Sequence, residues 1–159
     1  MSVTCSTKGR IVQSLSFEKS LGVSKRFEER SKSLQFFRSK GSFKELWSEL
    51  LGAQNCFSAE VLLENGSVLS FCGQIDTTQR HLKKIFYHGN LTSVDSVLYD
   101  VFLELALGKS FFDIFKIQFR EVESYLRDSN HQPSLKNSLI EPPSFGNLKE
   151  GLIEQMLVS

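Results

Sequence analysis

The chain has 159 residues, 40% of them hydrophobic, and a formal net charge of +1. This length suits one domain with a substantial core and is short for two, and the longest apolar runs fall below the roughly 18–20 residues that cross a bilayer. Three cysteines without a CxxC pair argue against a disulfide framework, so a reducing cytoplasm fits best. Fourteen phenylalanines against one tryptophan indicate a core of large apolar rings.

Residues 1–40 are predicted to form a basic, serine-rich and partly disordered leader, in which only 24–37 suggests a short helix. Nine Lys and Arg face three Glu in this range. Such charge could touch an anionic surface, but the segment lacks the regular arginine or aromatic spacing of a nucleic-acid binder, so nucleic acid is not the expected partner. The acid-free opening is also typical of an organellar presequence, which we keep as the minority alternative to a cytoplasmic protein.

We expect a single domain over residues 41–159, beginning with a helix and a small sheet. Ser42 is the predicted N-cap of the helix, which ends near Gly52. The following 32 residues, 58–89, change to a strand-like pattern with turns at Glu64-Asn65-Gly66 and Asp76-Thr77-Thr78. Three strands in immediate succession predict an antiparallel meander.

The remainder is predicted to be helical. An apolar stripe from Leu91 to Leu105 begins at a Thr92 cap and ends at Gly108, and Ser110 caps the next helix. A polar connection over 128–147 carries all three prolines, and a last helix covers 148–158. The order predicts a two-layer α+β fold: a three-stranded antiparallel sheet, preceded by a helix and covered on one face by C-terminal helices.

The motifs expected of an enzyme are missing from the sequence. It has no glycine-rich phosphate loop, no His-Glu-x-x-His and no nucleophile with an evident base. The acidic residues of the helical half sit at spacings typical of solvated faces and caps, so we predict no catalytic role for them: Asp95, Asp100, Glu104 and Asp113. The expected protein is not an enzyme.

Three stretches, taken in order, resemble the NifU/IscU-type scaffold proteins of iron–sulfur cluster assembly, which have the SufE/NifU-like fold. KIFYHGNLTSVDS (84–96) is similar to the family's K-x-F-G-C-G strand-to-helix passage. FLELALGKSFFDIFKI (102–117) is similar to the place where a family helix ends at Gly-Lys. EPPSFGNLKEGLIEQML (141–157) resembles the family's Pro-Pro segment and C-terminal helix. The likeness implies descent from a scaffold.

The same resemblance implies that the cluster ligands are missing, because thiolates are what hold such clusters. The family's second cysteine falls on His88, its third on Leu148 with the preceding histidine on Asn147, and its first near Asn65-Gly66-Ser67. A looser alignment makes Cys56 the first ligand, with Glu60 in place of the family's aspartate. We therefore expect the protein to hold no cofactor.

Two alternatives for chemistry stay open at this point. Cys56 and His88, with His81 or Glu60, could form a zinc or iron–sulfur site, whereas the simpler interpretation makes His88 a turn residue with a hydrogen-bonded ring. Cys72 could accept a persulfide, but an apolar strand position favours a small core residue.

Pro142, Pro143 and Phe145 are the predicted partner-binding residues, because they resemble the family's chaperone-recognition segment, although its lysine is missing. An extended Pro-Pro segment can present side chains to a groove, or serve as a rigid connection. The sequence therefore predicts a monomeric or dimeric, non-catalytic protein that binds a protein partner such as cysteine desulfurase. The alternatives are a metal or sulfur carrier and an interaction module with an unrelated partner.

Overall fold

The computed structural model describes residues 23–129, 132–134 and 141–159. The elements of these ranges are α1 (Lys25–Lys32), α2 (Lys40–Leu50), β1 (Cys56–Leu62), β2 (Val68–Ile75), β3 (Leu82–Gly89), α3 (Ser93–Ala106), α4 (Phe111–Phe115), α5 (Phe119–Tyr125) and α6 (Pro143–Val158). The strands form one antiparallel sheet in the order β1-β2-β3. The α+β fold with its three-stranded meander is confirmed. None of the helices in these ranges combines the length and apolar character that crossing a bilayer requires.

Two short turns explain why the strands pair as neighbours. In the first, Gly66 has φ of 85°, a conformation that glycine adopts without steric cost, and the Asn65 side chain accepts a hydrogen bond from the Ser67 amide. In the second, Asp76 Oδ1 accepts from the amides of Thr78, Gln79 and Arg80. Hydrogen bonds from the Gln79 amide, and to a smaller extent from the His81 and Arg80 amides and the Thr78 hydroxyl, lower the pKa of Asp76 to about 2. Both turns are built from local side-chain hydrogen bonds.

The two faces of the sheet have different neighbours. One face carries the apolar strand residues of the core and packs against α3 and α6: Phe57, Val61, Leu69, Phe71, Ile85 and Tyr87. The other face carries Ser58, Glu60, Ser70 and His88, which alternate with the core residues along the strands. Phe43 and Trp47 of α2 lie against this second face. The helix that precedes the sheet and the C-terminal helices therefore lie on opposite sides of it.

The packed domain begins earlier than the boundary expected at residue 41. Phe27 of α1 is completely buried and Phe36 nearly so, and both belong to the main core. The Tyr87 amide donates to the carbonyl of Phe36, and the Arg38 amide donates to the carbonyl of Tyr87. Residues 23–40 are thus folded onto the domain: the segment around Phe36 lies beside β3 and α1 lies beside α3, because two apolar rings in a polar segment are buried in the core. The rest of the predicted leader, with Cys5, lies outside the described residues.

Asp100 of α3 is fully buried, so its assignment to a solvated face was wrong. Its carboxylate accepts from Arg30 Nε at 2.7 Å, from the amides of Gln35 and Phe36 at 2.9 Å, and from the Tyr87 hydroxyl at 3.2 Å. Burial raises the pKa of Tyr87 and the neighbouring carboxylate raises it further, so the phenol keeps the proton it donates. Asp100 therefore joins α1, the segment before α2, β3 and α3.

Helix starts follow the predicted chemistry at two places and differ at two. Thr92 and Ser110 cap α3 and α4 as predicted. α2 is capped by Ser39 instead of Ser42, and its first turn includes Ser42. α6 begins at Pro143, five residues before the predicted start at 148. Proline is favoured at the first helical position because its φ is already helical and its missing amide would have no partner there.

We expect Asp100→Ala to lower the free energy of unfolding by about 3–5 kcal/mol, because it removes the buried acceptor of Arg30 Nε and of the Gln35 and Phe36 amides and leaves Glu104 as the only carboxylate paired with Arg30 in the described residues. Urea denaturation monitored by circular dichroism measures the change. The control is Asp113→Ala, an exposed aspartate on another helix, which should stay within about 0.5 kcal/mol. A loss below about 1 kcal/mol for Asp100→Ala would contradict the anchoring role.

Candidate functional site

Three segments meet at one end of the sheet: the β1–β2 turn (64–67), the end of β3 and start of α3 (88–92), and the first turns of α6 (142–148). We call this the Glu64 end. Glu64 accepts a hydrogen bond from the Ser144 amide at 2.7 Å, which ties the turn to α6. The Ser67 hydroxyl lies 3.5 Å from the carbonyl oxygen of Asn90, next to the β3–α3 passage. These segments hold the positions to which the family resemblance assigns its three cysteines.

A network of oxygen atoms occupies the core side of the Glu64 end. Ser144 is buried, and its hydroxyl lies 3.1 Å from Glu64 Oε1 and also hydrogen-bonds the buried Tyr99 hydroxyl. Partial burial raises the pKa of Glu64, but the hydrogen bonds from Ser144 outweigh it and leave that pKa below its ordinary value. Burial, and secondarily the charge of Glu64, raises the pKa of Asp95. Glu64 is therefore a charged acceptor that holds α6 on the turn.

His88 lies at this end but on the opposite face of the sheet from the network. It is paired with Ser70 across the strands. Its Nδ1 lies 2.9 Å from the carbonyl oxygen of Arg38, and since a carbonyl only accepts, Nδ1 carries the proton in this contact. The ring packs against Phe37 and Phe43, with centroid separations of 5.9 and 6.3 Å. His88 fastens the segment before α2 to the end of β3.

The other two positions that the family resemblance assigns to cysteines hold no metal-binding side chain. Leu148, in the third cysteine position, is buried in the core on α6, and its neighbour Asn147 is exposed. At the first position the chain has Asn65-Gly66-Ser67, where the Asn65 side-chain oxygen accepts hydrogen bonds from the amide and the hydroxyl of Ser67. The backbone places all three family positions at one end, yet the side chains there offer one imidazole and no thiolate.

Cys56 is far from His88, so the predicted pair does not form a site. Cys56 pairs with Gln74, whereas His88 pairs with Ser70, which is a separation of about 13 Å along the strands and about 10 Å across them. The Cys56 thiol contacts the carbonyl oxygen of Ala53 at 3.4 Å. Ligands of one metal ion must all lie within about 2–2.6 Å of it. The metal site predicted from Cys56 and His88 is therefore wrong for this fold.

The alternative ligands do not repair the site. His81 follows the second turn and lies at the Cys56 end of the sheet, where its amide donates to Asp76. Glu60 is paired with Ser70 in the same row as His88, so it is four strand residues from Cys56. No group of three or more His, Cys, Asp or Glu in the described ranges is arranged to hold a metal ion. These donors do not fit an iron–sulfur cluster, which requires about four ligands, mainly thiolates.

Cys72 is fully buried in the middle strand. Burial, with a smaller contribution from Cys56, raises the pKa of its thiol to about 11. A thiol must ionise to act as a nucleophile, so a protonated thiol without solvent access is a poor persulfide acceptor. The placement agrees with the interpretation of Cys72 as a small core residue.

The predicted partner-binding segment is divided between surface and core. Pro142 and Pro143 form the start of α6, with Pro143 exposed. Phe145 is 1% exposed and packs edge-on against Phe102 and Phe119 at 5.1 and 5.6 Å. Phe145 is therefore a core residue with little of its ring accessible, rather than the exposed side chain that the prediction requires. The reason is that α6 starts early and turns the phenylalanine inward.

Glu64 and Ser144 were not predicted as site residues, because each lies in a segment whose local pattern indicates a turn or a connection. Glu64 was part of a hairpin turn and Ser144 part of a connection, and 80 residues separate them. Only the packing of α6 against β1 and β2 brings them together.

The chain matches no protein-family model, and the search of curated proteins found no similar protein.

We expect iodoacetamide to modify Cys56 in the native protein. The rate of modification of Cys72 should be at least about tenfold lower than that of Cys56. A pKa raised from 9.0 to about 11 reduces the thiolate fraction at neutral pH about a hundredfold, and burial adds a steric barrier. Peptide mass spectrometry on a Cys5→Ser background gives the two rates. In urea the rates should become similar, whereas fast labelling of Cys72 in the native state would contradict its burial.

Proposed function

We propose that this protein is a non-catalytic relative of the NifU/IscU-type scaffolds, which works in iron–sulfur cluster assembly by binding proteins rather than by holding a cluster. One observation carries the proposal. The three segments that the resemblance aligns with cluster-ligand positions lie together at the Glu64 end, but the side chains they contribute are tied into structural hydrogen bonds or buried.

The backbone arrangement supports the scaffold part of the proposal. A chance likeness of three short stretches gives no reason for the β1–β2 turn, the β3–α3 passage and the start of α6 to lie side by side. Here Ser67 lies against Asn90, and Glu64 binds the amide of Ser144. A shared fold does not by itself establish function, so the assignment to cluster assembly is an inference from this arrangement.

The side chains support the cluster-free part. Iron in these clusters is held by soft, electron-rich thiolates, whereas the Glu64 end presents hydroxyl, carboxylate and amide oxygens. Those oxygens are already engaged: Ser144 links Glu64 to Tyr99. His88 is committed to the carbonyl of Arg38 on the other face. Replacing the ligands with these pairs turns a metal site into a rigid junction.

The buried carboxylates favour a binding protein over an enzyme. Asp100 accepts from Arg30, Tyr87 and two amides. Glu123 accepts from Arg127 and from the amide and hydroxyl of Ser134. A general acid or base must reach a substrate proton, and carboxylates surrounded by donors in the core are structural instead.

The two alternative functions, a metal or sulfur carrier and a binding module with an unrelated partner, require different features of the chain. A metal or sulfur carrier needs a reactive Cys56, His88 or Cys72, and the separation of the first two and the burial of the third weigh against it. An interaction module with an unrelated partner needs only an accessible surface. The exposed phenylalanines of α4, described below, make this the stronger of the two alternatives.

The proposal is tested by measuring the binding of the full chain to the cysteine desulfurase and the cluster scaffold of its own organism, by biolayer interferometry. The same preparation is analysed for iron and sulfide after anaerobic reconstitution. We expect micromolar or tighter binding to one of these proteins, less than about 0.1 iron per chain, and unchanged binding by Cys56→Ser and His88→Ala, because the ligand pair is not the binding surface.

Two results would change the assignment. Stoichiometric iron or zinc that is lost in Cys56→Ser or His88→Ala would favour the carrier. A folded, metal-free protein that binds neither assembly protein would favour an unrelated partner.

A further inference from the structure

The short helix α4 presents an apolar surface that the core does not use. Phe111, Phe112 and Phe115 are 40%, 58% and 64% exposed, whereas Ile114 is fully buried and attaches the helix to the core. Positions three and four apart on a helix are surface neighbours, so these rings lie together. We call Phe111, Phe112 and Phe115 the aromatic face. Single exposed apolar residues are ordinary, but a cluster of large rings is typical of an interaction site.

Positive charges are held at the edge of the aromatic face. Lys116 Nζ lies 4.3 Å from the centroid of the Phe112 ring, and Lys149 Nζ lies 5.7 Å from that of Phe115. Lys149 also donates to the carbonyl oxygens of Phe115 and Ile117 at 3.1 and 2.8 Å, so it is fixed in position. Ammonium groups are attracted to ring faces. The surface therefore combines apolar rings with positioned cations.

An open cleft continues this surface towards α6. It has a volume of about 450 Å³ and is lined by Gln118, Phe119, Arg120, Glu141, Phe145 and Lys149. The half-buried Lys149 borders both the cleft and the aromatic face, and Arg120 adds an exposed cation. The cleft is large enough to take a side chain of a bound segment.

We propose that the aromatic face and this cleft dock a segment of a partner protein that carries large apolar side chains beside Asp or Glu. The apolar side chains would cover the exposed rings, and the carboxylates would pair with Lys116 and Arg120. This inference rests on the protein-binding part of the proposed function but not on cluster assembly. It assigns the surface and the chemistry of the partner.

The charges on this surface favour a protein over two other occupants. Glu141 lines the cleft beside the rings, so burying this surface in a bilayer would carry a carboxylate towards the acyl chains at high cost. A second copy docked through the same patch would bring lysine towards lysine, because a two-fold interface repeats one surface on both sides. A partner segment with acidic side chains avoids both penalties.

The experiment pans a phage-displayed library of random 12-residue peptides against the full chain and measures the affinity of the enriched peptides by fluorescence polarisation. We expect the selected peptides to combine aromatic or aliphatic residues with Asp or Glu. Binding should fall at least tenfold in Phe112→Ser/Phe115→Ser and several-fold in Lys116→Glu. Leu62→Ser/Val68→Ser is the matched control, since these paired strand residues are 65% and 43% exposed elsewhere on the chain, and it should bind as wild type.

Thermal unfolding of each variant confirms that it is folded, as expected for changes at exposed positions. The proposal is overturned if no peptide depends on Phe112 and Phe115, or if the enriched peptides lack acidic residues and bind Lys116→Glu as tightly as wild type. It is also overturned if the double variant abolishes flotation with phosphatidylcholine–phosphatidylserine vesicles, or abolishes self-association in sedimentation equilibrium. These results would identify a membrane or a second copy instead.

The outcome is separable from that of the proposed function. Peptide binding that depends on the aromatic face, without binding to the assembly proteins, would retain this surface and remove the cluster-assembly assignment. Desulfurase or scaffold binding that persists in Phe112→Ser/Phe115→Ser, with no dependent peptide, would do the reverse.

Discussion

The arrangement of the N-terminal half depends on the hydrogen bonds that the buried carboxylate of Asp100 accepts. A charge inside a core is tolerated only when donors replace the water it has lost. Here the donors come from separate parts of the chain: Arg30 on α1, the amides of Gln35 and Phe36, and Tyr87 on β3. Because every donor must be in place, α1 and the segment that follows it are held to the sheet at one geometry.

The Glu64 end follows the same principle with a carboxylate nearer the surface. Glu64 binds the amide and hydroxyl of Ser144, and Ser144 in turn binds Tyr99. These contacts join a hairpin turn, the central helix α3 and the start of α6. Hydrogen bonds to a charged acceptor are stronger and more directional than those between neutral groups. The Glu64 end is therefore closed by hydrogen bonds among its own carboxylate, hydroxyl and amide groups.

The outer surface of α4 carries more apolar side chains than core packing requires. α4 is attached to the core through the buried side chain of Ile114, yet it also carries three exposed phenylalanines. Exposed rings reduce solubility and favour aggregation unless they are covered. Lys116 and Lys149 lie over two of them, which keeps the patch hydrated while leaving it available.

Local chemistry determined most of the fold. The Asn65-Gly66 turn, the alternating strands and the Thr92 and Ser110 caps act over a few residues, so the sequence alone predicts the meander and the helices that follow it. It does not predict that Asp100 is buried, since an aspartate between apolar residues looks the same on a solvated face. Nor does it predict that Phe145 faces inward, because that depends on Pro143 starting a helix packed against α3 and α5.

The candidate site was decided by tertiary structure. Strand register separates Cys56 from His88 and places His88 on the face away from Leu148. Register and the packing of α6 are long-range properties, set by which apolar faces cover each other rather than by neighbouring residues. The sequence therefore determined which side chains are present, and only the folded structure decided which of them lie together and what each of them binds.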